Sequence, residues 1–171
     1  MKSRTASLLF LALAVVSSLA RAVDSQSNIP PSNPDNAYQA HGDGTVTDTR
    51  SGLVWKRCSE GQSWTGGACS GTASGHAWSQ ALALAEDSTF AGYGDWRLPN
   101  INELTSLVEE GQSSPAINNT LFPNTPSSNF WSGSPYARLL SNAWYVSFGD
   151  GNASYGVRSD AYRVRLVRGG Q

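Results

Sequence analysis

Two runs of β-branched and aromatic residues, Thr45-Val46-Thr47-Asp48 and Leu53-Val54-Trp55-Lys56, flank the turn formers Arg50-Ser51-Gly52 and predict a pair of short strands. Strands this short are stable only when their apolar face is covered, so the rest of the chain has to supply that cover. From His76 to Asp87 the period changes: Trp78, Ala81, Leu82 and Ala85 recur three and four residues apart, the stripe of a helix. A second helix is predicted after Pro99. Asn100 stands as its cap, Glu103 sits where a capping box is completed, and Ile101, Leu104, Leu107 and Val108 form its inner face. Residues 111–129 are rich in Pro and Asn and read as loop. Three further strands are expected at Asn129–Ser132, Ala143–Phe148 and Tyr162–Val167, the last alternating so that Arg163 and Arg165 face solvent. The fold class that follows is α+β, with two helices and a small antiparallel sheet in one domain of about 130 residues.

The ends of the sequence predict a processed chain. Lys2 and Arg4 precede an unbroken apolar run from Leu8 to Val16, and Ala20-Arg21-Ala22 offers small residues at a cleavage site, so residues 1–22 read as a signal peptide cut after Ala22. The run is too short to span a bilayer, and no Cys follows it to carry a lipid. Residues 23–40, rich in Pro, Ser and Asn, read as a spacer, which puts the start of the folded domain at His41 and its end at 171. The expected location is secreted or periplasmic. A formal charge of −1 over 171 residues excludes nucleic-acid binding driven by bulk charge, and the 39% hydrophobic content excludes a disordered chain.

In an oxidising compartment Cys58 and Cys69, the two cysteines of the chain, are expected to form a disulfide. Two cysteines with only His41 and His76 match no zinc pattern. No calcium loop is predicted around His41–Asp48, because aligning Gly44 as its sixth residue puts Gln39 first and Arg50 twelfth, where acidic residues are needed. Phe148-Gly149-Asp150-Gly151-Asn152 reads as a hairpin turn rather than a calcium site. No cofactor is expected.

Four motifs occur in order: Gly44 to Trp55; Gly94-Asp95-Trp96-Arg97-Leu98-Pro99-Asn100 with Glu103-Leu104; Phe130-Trp131-Ser132; and Tyr162 to Gly170. Together they resemble the Lcl C-terminal domain family, named for the terminal domain of a bacterial collagen-like adhesin and formerly a domain of unknown function. The resemblance implies a compact C-type-lectin-like fold whose N- and C-terminal strands are adjacent. It also implies an adhesin-like activity toward sulfated glycosaminoglycans, although this chain has no Gly-X-Y segment. Trp96-Arg97-Leu98-Pro99 and the late Arg168-Gly169-Gly170 are similar to formylglycine-generating, sulfatase-modifying domains as well, which sets up a metal-dependent oxidase as a third reading.

No catalytic constellation is visible. The copper-binding cysteine pair of such an oxidase has no counterpart after Cys69, and no Gly-x-Ser-x-Gly elbow occurs. His76 has no evident partner, and the adjacent Glu109 and Glu110 point about 100° apart on a helix. The chain is therefore expected not to be an enzyme. Its candidate binding residues are Arg158, Arg163, Arg165 and Arg168, whose guanidinium groups suit sulfate and carboxylate, with Trp131, Trp144 and Tyr145 as stacking surfaces. The same tryptophans can serve as core, and the same arginines can pair with neighbouring carboxylates. Expected partners are an anionic glycan or an envelope or surface protein, the latter in a structural or assembly role. Self-association into a homo-oligomer stays open, whereas nucleic acid and a membrane span in the mature chain are not expected.

Overall fold

In the computed structural model, which describes residues 30–169, the hairpin predicted around Gly52 anchors the first sheet. The expected signal peptide and residues 23–29 of the expected spacer lie outside the described residues. The strands are β1 (Tyr38–Ala40), β2 (Thr45–Asp48), β3 (Val54–Lys56), β4 (Ser63–Trp64), β5 (Cys69–Ser70), β6 (Asn129–Pro135), β7 (Asn142–Ser147), β8 (Ala153–Val157) and β9 (Val167–Arg168), and the helices are α1 (Trp78–Glu86) and α2 (Ile101–Thr105). They form a four-stranded sheet in the order β1-β2-β3-β9, a three-stranded sheet β6-β7-β8 and the small ribbon β4-β5, all paired antiparallel. The architecture is α+β. Cys58 and Cys69 are joined in a disulfide that closes the ribbon loop.

Strand alternation divides the interior into two cores. Val46, Trp55 and Val167 are register partners on one face of the first sheet, and they pack with Leu104 of α2, with Leu107 from the turn that follows the helix, and with Phe130 and Val146 from the second sheet. The opposite face of the second sheet, carrying Trp131 and Ala143, buries Ala81 and Ala85 of α1 together with Trp96, Leu98, Val164 and Leu166. Both helices thus cover the three-stranded sheet, one on each side. The Asn100 side chain accepts from the Glu103 N–H at 2.9 Å, and the Glu103 carboxylate accepts from the Asn100 N–H at 2.8 Å.

Two expectations need correction. Residues 31–40 are not a spacer: β1 pairs with β2, and the Glu109 carboxylate accepts hydrogen bonds from the Ser32 and Asn33 N–H groups at 2.8 and 2.9 Å. The polar composition that reads as unstructured is consumed in these long-range bonds. Nor is the last strand continuous from Tyr162. Regular pairing is confined to β9, and upstream the chain makes single bridges, antiparallel from Tyr162 to His76 and parallel from Arg163 to Phe130. The segment acts as a seam between the two sheets, with the Lys56 N–H donating to Leu166 O and the Trp131 N–H to Arg163 O.

Candidate functional site

The seven expected binding residues do not share one face. Arg165 and Trp131 are fully buried. Arg165 donates to the Lys56 carbonyl at 2.8 Å, to the Arg57 carbonyl and to Thr125 Oγ1 at 2.6 Å, and lies over the Phe122 ring. The alternation from Tyr162 to Val167 is correct, but the face expected to be wet is roofed by the 111–129 loop. Arg163 is half-buried beside Gly75, with its Nε out of solvent. Arg158 lies 4.2 Å above the Trp78 ring. Along β7, Trp144 and Tyr145 point to opposite sides. Trp144 meets Tyr136 and Tyr155, whereas Tyr145 meets Trp131 and Tyr162.

Arg168 lines a cleft. Register builds it: Thr47, Val54 and Arg168 stand side by side across β2, β3 and β9, on the sheet face opposite the Val46–Trp55–Val167 core. Thr45 follows on the same face, and His41 and Asp43 enter from the β1–β2 turn. Tyr93, reaching in from the turn after α1, closes the side of a cavity of about 300 Å³. Gly44 at this turn has φ +88°, and a Cβ there would come within 2.7 Å of Trp64.

Bonds at the rim fix the polar groups. Arg168 Nε donates to Asp95 Oδ1 at 2.7 Å while its guanidinium carbon lies 3.8 Å from the centre of the Tyr93 ring, which is 42% exposed. The hydrogen bond raises the Arg168 pKa and lowers that of Asp95, so both are charged. Asp43 accepts from the Thr45 N–H at 2.9 Å and from the Thr45 hydroxyl at 2.7 Å. Burial pushes its pKa up, but these bonds and the nearby His41 outweigh it and hold Asp43 below its ordinary value. His41 Nε2 is 2.9 Å from Thr47 Oγ1. With one nitrogen of Arg168 committed to Asp95, the two terminal nitrogens remain to meet an anion beside an exposed aromatic ring and hydroxyls.

Sequence reasoning missed His41, Asp43, Thr45, Thr47, Tyr93 and Asp95. The polar alternation of Thr45 and Thr47 in a strand correctly predicted was a usable signal; nothing local announces that Tyr93 and Asp95 reach Arg168. A larger groove of about 580 Å³ runs between Pro31–Asn36 and Asn118–Thr120, where Glu109 is spent on internal bonds to Ser32 and Asn33, and Asn118 on bonds to Asn33 and Asp35. His76 has a partner after all, Ser74 Oγ at 2.7 Å, yet no carboxylate bonds its other ring nitrogen among the described residues. Among the described residues no three His, Cys, Asp or Glu side chains gather as metal ligands, and no helix is long and apolar enough to cross a membrane.

No curated protein matches the chain. The four ordered motifs now occupy defined places: the first forms the β2–β3 hairpin, the second caps α2, the third lies in β6 and the fourth, as far as Gly169, is the terminal seam. The Lcl C-terminal domain model matches residues 44–168, from the start of the hairpin to the arginine of the cleft, and the chain belongs to that family.

Proposed function

We propose that this chain is an exported, non-enzymatic recognition domain of the cell surface that binds an anionic glycan through the Arg168 cleft. The observation that carries the reading is the Arg168–Tyr93 pair on the outer face of the first sheet, a cation with free donors laid against an exposed ring and flanked by hydroxyls. Sulfate or carboxylate on a sugar takes paired guanidinium donors, and the sugar's apolar face takes the ring. The disulfide fits an oxidising compartment. The juxtaposition of β1–β2 with β9 through β3 is compatible with the C-type-lectin-like closure that the family resemblance implies.

A second reading, an assembly domain that docks on an envelope protein, is favoured by a separate observation. Leu139, Leu140, Tyr155 and Val157 are all exposed around the far end of the second sheet, away from Arg168.

The test is binding of the secreted chain to sulfated and neutral oligosaccharides by calorimetry, across salt concentrations and with a calcium chelator. Arg168→Ala and Tyr93→Ala are each expected to weaken binding to a sulfated oligosaccharide by about tenfold or more, as loss of a charge-assisted contact does. Arg168→Lys should recover only part of it. Absence of binding to every sulfated glycan, or binding indifferent to both variants, would refute the cleft reading.

A further inference from the structure

The second sheet has one open edge. β6 is flanked on its far side by the terminal seam through the Phe130–Arg163 bridge, whereas among the described residues β8 is paired to β7 only. The β7–β8 register sets Ser154 opposite Tyr145 and Gly156 opposite Ala143. At either end the Ser147 N–H donates to Asn152 O and the Arg158 N–H to Ser141 O, each at 2.8 Å. Bonded and non-bonded pairs alternate along an antiparallel ladder. Ser154 and Gly156 therefore turn both backbone groups toward β7, joined by the Asn152 carbonyl and the Arg158 N–H, while Ala153, Tyr155 and Val157 turn theirs outward. Of that outward set the Val157 carbonyl accepts from the Asp160 N–H at 2.8 Å.

Edge strands in stable monomers are blunted by charge, proline or a bulge. β8 reads Ala-Ser-Tyr-Gly-Val, and its five register pairs with β7 run without a shift. Instead of a guard it carries Tyr155 at 44% and Val157 at 47% exposure, and the adjoining 136–141 loop adds Leu139 at 49% and Leu140 at 82%. Such a patch beside an unpaired edge marks a docking surface.

We propose that two copies of this chain associate by pairing their β8 strands antiparallel about a two-fold axis at Tyr155, making one continuous sheet. The edge is complementary to itself. Pairing about Tyr155 sets the small Ala153 beside the branched Val157 of the partner, and the outward N–H and C=O groups meet at matching intervals. The strand carries no charged residue, so identical edges approach without repulsion. The Arg168 cleft lies on the other sheet and stays open, so, on the glycan-binding reading proposed for that cleft, the pair presents two clefts to a repeating polymer and gains avidity.

Sedimentation of the full secreted chain across a range of concentrations tests this. The wild type is expected to form a reversible dimer. Ala153→Pro, which removes an outward N–H, and Val157→Lys, which puts charge on the seam, should each weaken dimerisation at least tenfold, with circular dichroism unchanged. Leu82→Lys on the exposed side of α1 should leave it intact. Hydrogen exchange on the wild type supplies a readout that needs no variant: the amides of Ala153, Tyr155 and Val157 should gain protection as concentration rises. A chain that stays monomeric throughout leaves the edge to an extended segment of another protein and overturns the proposal. An assembly of any size that survives both edge variants overturns it as well.

Discussion

Arg165 is a cation with no carboxylate bonded to it among the described residues. Its charge is carried by the Lys56 and Arg57 carbonyls and the Thr125 hydroxyl, with the Phe122 ring beneath. Burial pulls its pKa down to about 9, which leaves it protonated at neutral pH. Removing the guanidinium orphans two buried carbonyls and opens a cavity, so Arg165→Ala should cost about 3 kcal/mol or more, read as a lower urea midpoint. Arg165→Met, which keeps most of the volume, should cost less. If glycan binding is measured on the fraction that stays folded, neither variant should change it, because Arg165 does not reach the surface. A run of four arginines near the chain end looks uniform in sequence, yet one is a core residue, one stacks on Trp78, one is half-buried in the seam and one lines the cleft. What separates them is the surface packed over each, which no local spacing encodes.

α2 is five residues long and cannot sustain itself by propagation, so its cap carries much of its stability. Asn100→Ala should cost about 1 kcal/mol by urea denaturation. Glu103→Ala should cost more, because the carboxylate also takes two bonds from Arg97 at 2.7 and 2.8 Å, and Arg97 in turn holds the Gly169 carbonyl at 3.1 Å. Equal losses for the two variants would mean that the Arg97 link contributes nothing. This cap was legible in sequence because Asn100 and Glu103 are three residues apart. So were the β2–β3 hairpin, the turn at Phe148–Asn152 and the Trp78, Ala81 and Ala85 face of α1, although Leu82, read into that stripe, is 38% exposed. β8 was not, since Ser154 and Gly156 break the apolar pattern; Gly156 is there because a Cβ would come within 2.7 Å of the Tyr162 hydroxyl. β1 was missed for a related reason. A strand of three residues, Tyr-Gln-Ala, gives too little alternation to stand out from a Pro- and Asn-rich stretch.

At the scale of the whole molecule the two ends of the described chain are tied down by side chains from its middle. Glu109 is buried and accepts from the Ser32 and Asn33 N–H groups and the Ser32 hydroxyl. Burial pushes its pKa up, but these bonds prevail and hold it below its ordinary 4.5. A carboxylate lowered in the folded state stabilises it fully above that ordinary value, and the contribution fades as the pH falls through the folded-state pKa. Glu109→Gln should therefore cost about 1–2 kcal/mol at pH 7, with the gap to wild type closing on acidification, as urea titrations at a series of pH values would show. A gap independent of pH would mean the carboxylate charge is not what holds the strap. The sequence by itself determined what depends on neighbours a few residues apart: the caps, the turns, the helical stripe, the pairing of its two cysteines and, through four motifs in order, the family. Only the tertiary structure decided which faces are wet. Arg165 finds its carbonyls 108 and 109 residues away, Arg168 its carboxylate 73 residues away, and Glu109 its strap 76 and 77 residues away. Contacts over such separations exist only once both sheets are assembled, because a side chain's solvent is set by whatever packs over it and not by its own alternation.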